Sequence, residues 1–184
     1  MITLIDRKLA CENTKFNVFF DHIRDDQKNE VLQYLVIETK VRQVDAAAGI
    51  AVLPVVDQKF GLLKIFRYPL NVYSFEAPRG FMDEGETLES TAIRELQEET
   101  GLVCSKSDLT HITDIAPEPG VILAKIRIYI AKNCTKLTKE RSDEIGLNSI
   151  EYFSTNEMEM MIRSGKILDP STIIAFSFWK MYYQ

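Results

Sequence analysis

Three glutamates, Glu95, Glu98 and Glu99, stand at i, i+3 and i+4 in the segment Arg94-Glu95-Leu96-Gln97-Glu98-Glu99-Thr100-Gly101-Leu102. A helix advances about 100° per residue, so the three carboxylates fall within about one third of its circumference. Like charges so placed repel by roughly 0.2–0.5 kcal/mol per pair even when exposed. A solvated acidic stripe is the ordinary explanation of a charge run. Here the face is hemmed in by apolar residues. Ile93, Leu96 and Leu102 lie on the same turns, and Leu88 projects within about 20° of Glu95. A hard cation would turn this unfavourable cluster into a site. Carboxylate oxygens suit Mg²⁺ or Mn²⁺.

The spacing predicts a helix over Leu88–Glu99, with Leu88, Ala92, Ile93 and Leu96 as its apolar positions and Gly101 placed to end it. Gly80 and Gly85 precede it and suit a tight loop in which backbone approaches a ligand. Glu86 and Arg94 are eight residues apart. They are placed to pair and to hold loop and helix in register.

Gly80, Glu86, Arg94, Glu95, Leu96, Glu98, Glu99, Gly101 and Leu102 occupy every defined position of the pattern G-x5-E-x7-R-E-U-x-E-E-x-G-U, where U is aliphatic. The segment therefore resembles the Nudix box. The resemblance implies an α/β/α sandwich with a mixed sheet, in which the box is loop–helix–loop. It implies that Glu95, Glu98 and Glu99 bind Mg²⁺ (or Mn²⁺), with the carbonyl of Arg79 as a further ligand, and that Arg94 and Glu86 orient them.

The flanks Ile65-Phe-Arg-Tyr-Pro-Leu70, Ser74-Phe-Glu-Ala-Pro-Arg-Gly80 and Ala116-Pro-Glu-Pro-Gly120 resemble the ADP-ribose/ADP-sugar pyrophosphatase branch of that superfamily. By that resemblance Arg67, Glu76, Arg79 and Pro117 are candidate substrate contacts. Arginine suits a diphosphate because its planar fork donates bidentately. The plainer alternative is that Arg67 and Glu76 are only each other's salt-bridge partners. Pro117 and the Pro119-Gly120 pair compete for one family position. Val121 follows where an acid is often found. A general base outside the box is expected in Ser142-Asp143-Glu144-Ile145, with Glu144 first and Asp143 or Glu140 as alternatives.

The implied reaction is metal-assisted hydrolysis of a nucleoside diphosphate sugar. For ADP-ribose the products are AMP and ribose 5-phosphate. Other Nudix diphosphatase activities, on sugar nucleotides, dinucleoside polyphosphates or NADH, remain open. So does a non-catalytic ADP-ribose sensor.

Little else in the chain competes with this. With two histidines, His22 and His111, a His-based metal site or triad is poorly supplied. Cys11, Cys104 and Cys134 lie far apart and form no metal knuckle, so three reduced thiols are expected. The net charge of −5 argues against a nucleic-acid backbone as partner. No apolar run reaches the ~18 residues needed to span a bilayer, and Asp6, Arg7 and Lys8 interrupt any leader. No membrane partner and a cytoplasmic location are expected.

Strands are expected at 15–20, 31–41, 46–56, 61–67, 111–115 and 121–131, and helices at 155–164 and 171–183. Thr155 or Asn156 is the expected cap of the first of these helices. Residues 46–184 are expected to form the catalytic domain. Residues 1–45 form a small β-rich segment that, by the resemblance, serves a homodimer.

Overall fold

The apolar run near residue 50 decides the architecture, because a strand that is apolar at every position must be covered on both faces. The structure is a computed structural model that describes residues 1–137 and 145–183. In chain order its strands are β1 (Ile2–Glu12), β2 (Phe16–Asp25), β3 (Glu30–Thr39), β4 (Ala47–Val56), β5 (Lys59–Arg67), β6 (Val72–Glu76) and β7 (Arg79–Phe81). They continue with β8 (Leu102–Val103), β9 (Leu109–Ile115), β10 (Ile122–Leu123), β11 (Lys125–Ala131), β12 (Thr135–Lys136) and β13 (Leu147–Phe153). The helices are α1 (Leu88–Thr100), α2 (Thr155–Arg163) and α3 (Pro170–Tyr183).

The central sheet has the order β13-β5-β4-β11-β9, with β6 added on β5 and β7 on β4. β11 runs parallel to β4, whereas β5, β7 and β9 pair antiparallel with their neighbours, so the sheet is mixed. Successive side chains of β4 point to opposite faces. Ala51, Leu53 and Val55 enter a core shared with Met158 and Met161 of α2 and Phe176 of α3. Ile50 and Val52 enter a second core shared with Leu88, Ala92 and Leu96 of α1. Helices thus cover both faces, and the fold is the expected α/β/α sandwich.

A second sheet, in the order β1-β2-β3-β10, carries the N-terminal residues. The alternating stretch 121–131 was expected as one strand but divides at Ala124. Ile122 and Leu123 pair with β3, and Lys125–Ala131 pair with β4. Alternation sets which face a residue takes, but it carries no mark of a change of sheet.

β13 was not anticipated, because its apolar residues Leu147, Ile150 and Phe153 stand three apart and conceal the period of two. The cap of α2 is Ser154 rather than Thr155 or Asn156. Ser154 Oγ accepts from the Glu157 amide, and the Glu157 carboxylate accepts from the Ser154 amide at 2.7 Å. α3 begins at Pro170, a residue suited to the first helical position because its missing N–H is not needed there. Among the described residues no helix is long and apolar enough to cross a membrane.

Leu96 is fully buried between α1 and the sheet. Leu96→Ala should destabilise the protein by about 2–5 kcal/mol, read as a lowered urea midpoint with little change in the slope.

Candidate active site

α1 is fixed at both ends before it presents any charge. Thr87 Oγ1 accepts from the Ser90 amide at 3.2 Å, and Ser90 Oγ accepts from the Thr87 amide at 2.9 Å. This reciprocal box satisfies amides that the first turn leaves open. Gly101 ends the helix at φ 70°, a left-handed conformation that glycine adopts without cost, and its amide donates to Gln97 O at 2.8 Å. With Leu88, Ala92 and Leu96 turned to the core, Glu95, Glu98 and Glu99 are left facing β7 and solvent in graded fashion.

Glu99 is 4% exposed and accepts from the Arg79 amide at 2.9 Å. Glu95 is half-buried and lies against Gly80. A Cβ placed on Gly80 would stand 1.9 Å from Glu95 Oε1, so no other residue fits there without displacing the carboxylate. Glu98 is the open one, with its side chain 53% exposed.

Arg94 ties this face to the preceding loop. Its Nε and Nη2 donate to the two oxygens of Glu86 at 2.8 and 3.0 Å. Its Nη1 donates to Glu95 at 2.8 Å and to Glu98 at 3.1 Å. The Arg94 hydrogen bonds hold the Glu86 carboxyl down at about 2, against burial, which raises it. Glu86 in turn pushes the Arg94 guanidinium further up. Among the described residues no three acidic side chains converge as a ready metal cage. Glu95 and Glu98 close on Arg94 instead. The donor set is nonetheless one of hard oxygens on a single helix face. The bare Gly80 backbone beside Glu95 leaves the main chain of Arg79 and Gly80 open to the same ion. Glu95, Glu98 and Glu99 therefore fit Mg²⁺ or Mn²⁺ if Arg94 yields its two bonds on that side.

Arg67, Glu76 and Arg79 also come together. Arg67 donates to Glu76 through Nε at 3.0 and 3.1 Å and through Nη2 at 2.6 Å. Arg79 Nη2 lies 3.1 Å from Glu76, and its Nη1 lies 2.7 Å from Asp169. The expected pairing of Arg67 with Glu76 is real, but Glu76 is buried, unlike the carboxylate of a surface pair. These residues and Leu70 and Leu168 line a cavity of about 230 Å³ beside the acidic face. Pro117 does not join them. It lies exposed in the loop between β9 and β10, a loop held to the N-terminal sheet by Tyr34 Oη donating to Gly120 O at 2.7 Å. Glu144, Asp143 and Glu140 lie outside the described residues. Sequence alone did not single out Asp169. Its place ahead of Pro170 marks a helix cap, but nothing in that signal points to Arg79.

The sequence profile of the NUDIX domain matches residues 45–169. The chain belongs to the Nudix hydrolases. Among similar proteins, the ADP-ribose pyrophosphatase of Bacillus subtilis is 31% identical over 135 residues, 72% of this chain and 72% of its own length. The methanol dehydrogenase activator of Bacillus methanolicus is 30% identical over 146 residues, 77% of this chain and 75% of its own. A crystal structure of an ADP compounds hydrolase superposes with a TM-score of 0.80 over 98% of this chain and 93% of that one, at 17% identity, which shows a shared fold.

The depressed Glu86 carboxyl makes a pH prediction for this Nudix loop. A carboxyl lowered from 4.5 to about 2 on folding adds stability that is present above pH 4.5 and lost as the pH falls toward 2. The contribution is roughly 3 kcal/mol as an upper bound. Urea unfolding at pH 7 and at pH 3 should show Glu86→Gln less stable than wild type at the first and closer to it at the second.

Proposed function

We propose that this Nudix hydrolase cleaves the diphosphate linkage of a nucleoside diphosphate sugar, ADP-ribose being the substrate of choice, to give AMP and ribose 5-phosphate. The observation that supports it is the corner at Arg79 and Gly80. Its main chain meets Glu99 and Glu95, while its side chain borders the cavity shared with Arg67 and Glu76. An anion recognised by the arginines would thus reach the acidic face with its diphosphate. The similarity to an ADP-ribose pyrophosphatase points to the same substrate class.

In this reading Glu95, Glu98 and Glu99, with the Arg79 carbonyl, hold Mg²⁺ or Mn²⁺. The ion, when bound, screens the diphosphate and lowers the pKa of a coordinated water. Arg67 and Arg79 bind and orient the phosphates, and Glu76 keeps both forks aligned. Arg94 and Glu86 hold the glutamates in place. Glu98 is the most exposed of the three glutamates and would hold the ion from the solvent side, which makes it the catalytic glutamate of this reading. Glu144 is assigned as general base, taking the proton of the attacking water, and Pro117 as a distant substrate contact.

Removal of divalent metal should abolish ADP-ribose hydrolysis, and Mg²⁺ or Mn²⁺ should restore it. Glu98→Gln should lower kcat by on the order of 10² or more, and Glu144→Gln by at least about tenfold. Wild-type turnover in Glu98→Gln would sink the metal assignment. A loss below tenfold in Glu144→Gln would move the base elsewhere.

The same reading makes the protein a homodimer through residues 1–45. β1 is exposed along its whole length and forms a sheet edge, and Leu4 and Leu9 of β1 and Leu32 and Leu35 of β3 are exposed on the same sheet. An open edge with apolar neighbours favours pairing with another chain, and a second copy supplies a matching edge. Light scattering should give twice the 21.1 kDa chain mass, and Leu4→Asp with Leu32→Asp should halve it. A monomeric wild type would overturn the dimer. A cytoplasmic location accords with free Cys11, Cys104 and Cys134, since reduced thiols persist there.

A further inference from the structure

We propose that Asp169 is a positioning residue that holds the Arg79 guanidinium over the cavity in the orientation needed to take a diphosphate, an assignment that rests on the substrate class proposed above. Asp169 stands just ahead of α3, which packs on the opposite face of the sheet from α1, and it lines the cavity with Arg79. Its side chain is 2% exposed. Its two oxygens are divided between two tasks. Oδ1 accepts from Arg79 Nη1 at 2.7 Å. Oδ2 accepts from the Thr172 amide at 2.8 Å and from Thr172 Oγ1 at 2.7 Å, which caps α3.

The cap by itself does not explain an aspartate. Ser, Thr or Asn would cap as well, and a buried ionised carboxylate carries a desolvation cost that a neutral cap avoids. The charge is spent on Arg79. The same residue also reaches the site through the backbone, since Thr172 Oγ1 accepts from the Ala77 amide at 2.8 Å. Ala77 and Arg79 flank Pro78 at the start of β7, and the Arg79 amide is held by Glu99. One carboxylate therefore fixes both the side chain of Arg79 and the strand that presents it. Glu76 alone would not, because it is already engaged by three contacts from Arg67.

Asp169→Asn separates the two tasks. Its amide oxygen still caps α3, but its amide hydrogens face the donors of Arg79. Inorganic pyrophosphate, titrated calorimetrically into the metal-free protein, reads Arg79 without turnover. The expected result is α3 still capped with a modestly lowered Tm, and an affinity weakened about tenfold because the guanidinium is no longer held in place. With metal and ADP-ribose, KM should rise by a similar factor while kcat changes little. Asp169→Ser, also a capping residue, should behave alike. In an Arg79→Ala background Asp169→Asn should add nothing, because both act through one guanidinium.

Undiminished pyrophosphate affinity in Asp169→Asn overturns the assignment. So does the same loss in the Arg79→Ala background, or the absence of pyrophosphate binding in wild type. If wild type binds pyrophosphate but leaves ADP-ribose intact, the substrate reading fails and the Asp169 assignment is still decided by the titration.

Discussion

The Arg94 guanidinium is what lets α1 carry its acidic face. Glu95, Glu98 and Glu99 are confined to one side of a helix whose other side is core, so they cannot separate by turning the helix. Arg94 meets Glu95 and Glu98 with one nitrogen and Glu86 with two others. A fifth hydrogen bond, to Phe81 O at 3.3 Å, reaches β7. A lysine could not do this, because a compact ammonium cannot reach loop, helix and strand with separate donors. One cation thus fixes the loop before the helix, the helix and the strand beside it. It is also the local charge that a metal ion would have to replace.

That arrangement works only because the sheet brings β7 to the right place. β7 pairs antiparallel with β4, Gly80 opposite Ile50 and Arg79 opposite Ala51. β4 is locked by two cores, one on each face, so its register cannot slip. A shift of one residue would exchange the faces and carry Gly80 away from Glu95. The burial that stabilises the fold and the close approach that builds the site are therefore a single constraint. The mixed sheet is what allows it, since β4 offers one edge to β11 in parallel and the other to β5 and β7.

Much of this was legible in the sequence because local chemistry dictated it. The acidic triplet and Gly101 obey helical spacing, the Glu86–Arg94 pair joins a loop to the helix that follows it, and the uninterrupted run that became β4 could be satisfied only by a strand covered on both sides. What was not legible depends on long-range pairing. The break at Ala124, the strand Leu147–Phe153 and the meeting of Arg79 with Asp169, ninety residues on, leave no periodic trace. Pro117 was singled out by the resemblance of Ala116–Gly120 to the branch, and among the described residues it is not part of the cavity lining. Arg67 and Glu76 were legible as a pair but not as part of a cavity, because Leu168, Asp169 and Pro170, which complete its lining, come from the far end of the chain.

The pairing around Arg79 also bears on how the site can bind and release an anion. Burying an acid that has a single cationic partner makes that partner hard to move, since its departure leaves an uncompensated charge. Here each acid has a second partner. Glu76 keeps Arg67 if Arg79 Nη2 turns from it to a phosphate oxygen, while Asp169, held also by the amide and hydroxyl of Thr172, keeps Arg79 Nη1. Glu99 holds the Arg79 backbone, which need not move with the side chain. The guanidinium is about one third exposed, whereas the carboxylates that hold it are not. It can therefore trade one carboxylate for a phosphate oxygen without stranding a buried charge. The protein uses its buried acids as a fixed frame and leaves the arginine as the part that responds.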